Sequence, residues 1–320
     1  MHNTRKLIVS HAPFWHAGSS ITARSCHIMG AAMLAVIPGI AQYGVPAVAV
    51  VCLAISSAMI WELLFSVIAK RPVAIADGNA AMIGMIFAML VPATTPWWAV
   101  LTGTFVAVII GKQIYGGIGG NPFNPVLIGI AILSLSWKDY FDFTEALLVY
   151  DFDFPAIYPL AALKAFGTGA ISSFTPLDLF LGRQIGGIGA TCGLALMVGG
   201  VYLILRGFIR WEISVSFLAG VFLSALLFQF FGEPGRYAGP LFHLLTGYTL
   251  IGAFFLATED SSSPVYFYPM LIYGAAAGVM TVMIRNIGAY ADGVVYAILL
   301  LNLVNPIIDK IRPKAIGKVI

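Results

Sequence analysis

The chain has 320 residues, of which 60% are hydrophobic and only 10% are charged, and its mean hydropathy is +0.93. That balance excludes a soluble domain, which would expose far more charge, and the long unbroken apolar runs exclude a membrane β-barrel, whose strands alternate. A net charge of +3 marks no nucleic-acid surface, because Lys and Arg beside membrane spans act as topological markers. Cys26, Cys52 and Cys192 stand apart without CxxC or Cys-His spacing, so neither a disulfide framework nor a metal centre is indicated.

The opening stretch, with His2, Arg5, Lys6, His11 and His16, lacks the apolar core and small-residue cleavage site of a signal peptide, so a retained, cytoplasmic amino terminus is expected. A bilayer core of ~30 Å needs about 20 apolar residues per helix. Runs near that length lie at residues 27–44, 46–69, 75–92, 96–115, 122–137, 185–205, 211–231, 243–258, 264–284 and 291–309. The fifth and eighth are short and hold Gly or Pro, which suggests tilted, re-entrant or broken segments facing protein or a cavity. Trp97-Trp98 and Tyr266-Phe267-Tyr268 fall at span ends and read as interfacial belts.

Threading these spans alternately tests the orientation, because cytoplasmic loops hold the excess of Lys and Arg. With the amino terminus inside, the inner side collects Arg5, Lys6, Arg24, Lys70, Arg71, Lys112, Arg206, Arg210, Lys310, Arg312, Lys314 and Lys318. The outer side receives Lys138, Lys164, Arg183, Arg236 and Arg285. Both termini are therefore expected in the cytoplasm. The chain divides into an amino-terminal segment 1–26, a first transmembrane half 27–137, an external loop 138–184, a second half 185–309 and a tail 310–320.

The halves resemble one another. Lys112-Gln-Ile-Tyr-Gly-Gly-Ile-Gly-Gly-Asn-Pro-Phe-Asn-Pro-Val joins the fourth span to the fifth, and Arg285-Asn-Ile-Gly-Ala-Tyr-Ala-Asp-Gly-Val joins the ninth to the tenth. Each is a cation, a glycine-rich turn, then a new helix. Five spans per half is an odd number, so two copies of one unit must lie in opposite orientations. The expected fold is an all-α polytopic membrane protein with about ten transmembrane helices in two inverted five-helix repeats.

Ionisable side chains at membrane depth are costly and mark ion pathways or buried pairs. Glu62 in the second span, Asp77 opening the third and Asp292 opening the tenth are the candidates, with Glu212 at the start of the seventh. Asp77, Glu212 and Asp292 sit where a carboxylate can equally cap a helix, and Glu62 can snorkel toward Lys70 and Arg71. The glycine-rich stretch Gly116 to Pro125 could cradle a phosphate or permit close helix packing, and it is neither a P-loop nor a Rossmann fingerprint.

One polar loop separates the halves and ends Ala170-Ile-Ser-Ser-Phe-Thr-Pro-Leu-Asp178. Pro176 disfavours a helical backbone at Thr175, so the threonine is expected extended with its hydroxyl available. Such a hydroxyl could accept a covalent group, and Ser, Thr, Pro and Asp also cluster in ordinary turns.

Taken together, Asp77-Gly-Asn-Ala, the Lys112 to Pro125 stretch, Thr175-Pro-Leu-Asp, His243-Leu-Leu-Thr-Gly with Gly252-Ala-Phe-Phe-Leu-Ala-Thr, and Gly288-Ala-Tyr-Ala-Asp-Gly-Val resemble the family of D subunits of Rnf electron-transport complexes. Related B subunits of sodium-translocating NADH:quinone reductases usually carry a longer amino-terminal extension. The resemblance implies a bacterial inner-membrane complex that passes electrons between ferredoxin and NAD and couples the transfer to movement of Na+ or H+. It implies FMN joined through its phosphate to Thr175, with Ser172 matching the first residue of the family's Ser-Gly-Ala-Thr pattern and Asp178 in support. In the middle of that pattern Ser173 and Phe174 replace the small pair. It further implies a flavin transferase for maturation, a second, noncovalent flavin such as riboflavin near the cytoplasmic side, the A, B, C, E and G proteins of an Rnf complex as partners, and a periplasmic flavin loop. Two rival readings stay open: a small-solute channel or transporter with inverted repeats, and a structural subunit without flavin.

Overall fold

The computed structural model describes residues 20–233 and 235–311. His2, Arg5, Lys6, His11 and His16, and Arg312, Lys314 and Lys318 of the tail, lie outside the described residues. Among the described residues the fold is helical and without strands. Helices α1 (Ile21–Tyr43) and α2 (Val45–Ile68) meet at Gly44, whose φ of 67° only glycine adopts without steric cost. Next come α3 (Asn79–Leu90), α4 (Trp97–Phe105), which widens into a π-helical stretch over Val106–Gln113, and α5 (Pro125–Ser136). The long loop carries α6 (Pro159–Phe166) and α7 (Pro176–Leu181). The second half holds α8 (Gly193–Leu205), α9 (Trp211–Phe231), α10 (Pro240–Leu245), a π-helical stretch over Gly252–Leu256, α11 (Phe267–Asn286) and α12 (Val294–Ile308).

Four helices, α1, α2, α9 and α11, are long and apolar enough to cross a membrane, and α3, α4 with its π-helical extension, α5, α8 and α12 are shorter apolar helices. Their outward residues are themselves apolar, as at Ile37, Ile60, Val67 and Phe230. A surface of that kind needs lipid around it, so the chain is a multi-pass membrane protein. Exposed Trp97 opens α4, and exposed Phe267 and Tyr268 open α11.

The sixth span departs from the sequence reading, whereas the eighth is broken, as its shortness and internal glycine suggested. The sixth span, expected from residue 185, becomes helical only at Gly193; residues 184–192 form a buried, non-helical segment. Its glycines let it press against the end of α3: Ile188 N–H donates to the Val91 carbonyl at 3.1 Å and Gly189 N–H to the Met89 carbonyl at 3.0 Å. A Cβ at Gly187 would stand 2.5 Å from the Met89 oxygen. Tyr248 Oη donates to the Leu90 carbonyl at 2.5 Å, so a buried helix end finds partners from the second half. The eighth span is broken, with α10 and the stretch from Thr249 separated at residues 246–248 around Gly247, φ 64°.

Packing joins the halves through like-placed elements: α1 lies against α8, and α5 against α12. Within the second half α9 and α11 form the most extensive interface, in which a Cβ at Gly274 would meet the Ile213 carbonyl oxygen at 2.6 Å. Small residues of this kind let helix backbones approach where lipid supplies no hydrophobic drive.

Candidate functional site

The loop reaches Thr175 through a turn at Thr168–Ile171, and Thr175 caps α7 with φ −78° and ψ 149°. The extended backbone expected before Pro176 is therefore present, and the side chain is exposed. Thr175 Oγ1 donates to Asp178 Oδ2 at 2.6 Å and accepts the Asp178 N–H at 3.2 Å. Arg183 Nη1 lies 3.3 Å from Asp178 Oδ1. Phe174 is buried while Thr175 beside it is exposed. Ser172 donates to the Gly169 carbonyl at 2.9 Å and takes no part in the Thr175–Asp178 pair.

On the same loop face, α5, α6 and the turn before α12 enclose a cavity of about 330 Å³ whose walls include Phe141, Phe143, Tyr158, Tyr248, Tyr290 and Tyr296. Burial, and then the nearby Asp292 carboxylate, push the Tyr158 phenol well above its ordinary range, so it stays protonated. At the opposite end a cavity of about 160 Å³ lies among α1, α3 and the start of α5, with Asn79, Lys112, Asn121, Asn124 and Glu259 on its wall. Asn124 caps α5, accepting the Val126 N–H at 3.0 Å and donating to the Leu256 carbonyl at 2.9 Å. The glycine-rich stretch before it is a set of largely exposed turns, with positive φ at Gly116, Gly117 and Gly119.

The candidate carboxylates are held in separate places. Glu62, 2% exposed, accepts Lys112 Nζ at 2.6 Å and Gln113 Nε2 at 2.8 Å on one oxygen. The sequence offered snorkelling toward Lys70 and Arg71; the π-helical stretch instead turns Lys112 and Gln113 inward, closer than those surface cations. Asp77 accepts the Asn79 N–H at 2.8 Å at the entry to α3, a capping role. Asp292 caps α12 through the Val294 N–H at 3.1 Å, and the same oxygen lies 3.0 Å from Arg285 Nη2. Lys112 and Arg285, counted above as loop cations, are thus buried partners of carboxylates. Glu212 stands in the first turn of α9 with one oxygen buried and unpartnered.

The sequence matches the family described as NQR2, RnfD, RnfE over residues 8–317. The chain belongs to this family. It is 35% identical over 320 residues to the D subunit of the Na(+)-translocating ferredoxin:NAD(+) oxidoreductase complex of Acetobacterium woodii, covering 98% of this chain and 96% of that protein. It is 33% identical over 349 residues to the D subunit of the ion-translocating oxidoreductase complex of Cronobacter sakazakii, covering 97% and 98%. The protein of the same description from Escherichia coli is 35% identical over 349 residues, again with 97% and 98% covered.

Sequence reasoning passed over several residues of this family member's polar framework. Gln184 Nε2 reaches the carbonyls of Leu179, Thr191 and Leu245, tying the buried segment to α7 and α10. Glu259 accepts from Asn121 at 3.3 Å, and Asp260 pairs with Arg24. The repeated cation, glycine-rich turn and helix pattern pointed to Lys112 and Arg285. Nothing local marked Gln184, whose side-chain partners lie up to 61 residues away.

Proposed function

We propose that the chain is the D subunit of an ion-translocating oxidoreductase complex of the Rnf type, carrying FMN as a phosphoester on Thr175. The observation that carries this reading is an exposed, extended threonine hydroxyl held by Asp178 in a chain of this family. Bound FMN would supply chemistry that exchanges electrons in ones or twos. The residues present fit its attachment: Thr175 offers the oxygen, Asp178 orients the hydroxyl and stands placed to accept its proton, and Arg183 holds Asp178. Burial of Phe174 leaves the acceptor open despite its departure from the small family pair. The aromatic cavity on the same face suits a flat ring.

A second, noncovalent flavin is assigned by this reading to the opposite cavity, whose wall carries Asn79 and the asparagines Asn121 and Asn124 that shape it through their own hydrogen bonds. The ten-span, inverted-repeat plan is supported by the packing of α1 on α8 and α5 on α12, pairings of equivalent elements that a two-fold axis between the halves would place together. The burial of a cation before each glycine-rich turn, Lys112 and Arg285, supports it as well. With both termini cytoplasmic, the Thr175 loop faces the periplasm of a bacterial inner membrane. The A, B, C, E and G proteins of the Rnf complex supply ferredoxin and NAD chemistry, a flavin transferase loads Thr175, and Na+ or H+ is the coupled ion, with Glu62, Asp77 and Asp292 as candidates along its path.

The test coexpresses the chain with its transferase and examines the denatured protein by in-gel fluorescence and by mass spectrometry of the peptide spanning residues 170–183. The expected result is an FMN adduct on Thr175 that Thr175→Ala abolishes while the subunit still folds. Fluorescence retained by the denatured variant, or an unmodified peptide beside a labelled control protein, would sink the assignment.

A further inference from the structure

The loop face also holds a cavity of about 200 Å³ between α6, α10 and the turn that follows α11, lined by Lys164, Arg236, His243, Arg285 and Asn286 among others. His243 is fully buried, and neither of its ring nitrogens has a hydrogen-bond partner among the described residues. The amide nitrogen of Asn286 is likewise buried and unpartnered. Buried polar groups are ordinarily satisfied, and leaving one unmade is costly. Two such groups on the wall of one cavity point to something that the cavity holds.

Charge and donor count define that something. Arg285 is already bound by Asp292, and Arg236 gives one nitrogen to Glu233 at 3.0 Å. Lys164 Nζ donates to the Gly288 carbonyl at 2.5 Å and the Tyr290 carbonyl at 2.7 Å, both neutral, so among the described residues its charge has no carboxylate partner and one N–H remains. Partial burial lowers the pKa of that ammonium, an effect that a neighbouring anion would offset. The unused groups are an imidazole N–H, an amide, an ammonium hydrogen and the rest of the Arg236 guanidinium. A cation would meet repulsion here, and an apolar guest would leave every donor unpaired.

We propose that this cavity binds a phosphate-type oxyanion, held by Lys164, Arg236, Asn286 and His243. Leu160, Leu163 and the exposed Ile287 stand beside these donors. Inorganic phosphate and the phosphate of an anionic phospholipid therefore present one chemical group to one set of partners. The site adjoins the aromatic cavity, with which it shares Lys164, but neither Thr175 nor Asp178 lines it, and the proposal does not rest on the flavin reading.

The test uses the full chain, once in neutral detergent with inorganic phosphate titrated against chloride at constant ionic strength, and once in phosphatidylcholine nanodiscs with or without phosphatidylglycerol. The readout is the thermal midpoint of the wild type, Arg236→Gln and Asn286→Ala. Arg236 is exposed and the Asn286 amide donates to nothing, so both variants are expected to fold. The wild type is expected to be stabilised, with the apparent affinity about tenfold weaker in each variant, as loss of a charge-assisted or buried donor implies. Stabilisation by free phosphate in detergent identifies a small-anion site, and stabilisation by phosphatidylglycerol alone identifies a lipid headgroup site. No response in the wild type, or equal responses in all three proteins, overturns the proposal.

Discussion

Among the described residues each half of the molecule buries one ion pair, and the two are finished to different degrees. In the second half Arg285 gives Nη1 to the His243 carbonyl at 2.9 Å, Nη2 to Thr249 Oγ1 at 2.9 Å and further contacts to Thr246 and Asp292. Asp292 uses both oxygens, one on Arg285 and the Val294 N–H, the other on the Tyr248 N–H at 2.6 Å. The first half is barer: Lys112 and Gln113 share one oxygen of Glu62, and the other oxygen is buried without a partner. Desolvating an ion pair costs several kcal/mol, roughly, and only complete hydrogen bonding offsets it. The closed pair therefore reads as a brace across the helix break at Gly247. The open pair leaves one carboxylate oxygen without a partner among the described residues, beside the cavity that Lys112 lines.

The largest expected effect follows from the closed pair. Arg285→Ala strands the Asp292 carboxylate and frees the carbonyls of His243 and Thr246, so a loss of about 3–5 kcal/mol is expected, seen as a lower thermal midpoint and poor yield in mild detergent. Glu62→Gln removes charge but keeps an acceptor for Lys112, and about 1–3 kcal/mol is expected. In the assembled complex this second variant should also blunt the dependence of activity on Na+ or H+ at unchanged flavin content. If Glu62→Gln proves the more damaging to stability, the contrast between brace and open pair is wrong. If coupling is untouched, the ion travels elsewhere.

How far the sequence showed this arrangement depends on the range over which each feature is specified. Apolar run length located α1, α2, α9 and α11 to within a turn or two, because the bilayer imposes it locally. The Thr175 backbone was legible from Pro176 alone. The start of α8 was not, since residues 185–192 read as the opening of the apolar run 185–205; they stay unwound where Met89 and Val91, far earlier in the chain, offer buried carbonyls to Gly189 and Ile188. Lys112 and Arg285 were visible as cations before glycine turns, yet a charge at a helix end looks the same whether it faces water or a carboxylate on another helix. Partner choice is a tertiary fact, and Glu62, inside the later part of α2, hinted at it only by its place within an apolar span.

The smallest expected effect tests the seam that the unwound segment makes with α3. Tyr248 serves both regions: its N–H binds Asp292, and its hydroxyl binds the Leu90 carbonyl at 2.5 Å. Tyr248→Phe keeps the ring and the backbone bond and deletes only the hydroxyl, so the loss should be about 1 kcal/mol, the net worth of one neutral hydrogen bond. Unfolding in mixed detergent–SDS micelles would measure it. A loss as large as that of Arg285→Ala would mean that the brace and the seam are one cooperative unit, with Asp292, Tyr248 and Leu90 coupling the two halves. A loss near the single-bond value would make the α3 end a local closure, satisfied mainly by the backbone of Ile188 and Gly189. A combined Arg285→Ala, Tyr248→Phe protein decides between these, because independent sites add and a shared unit does not.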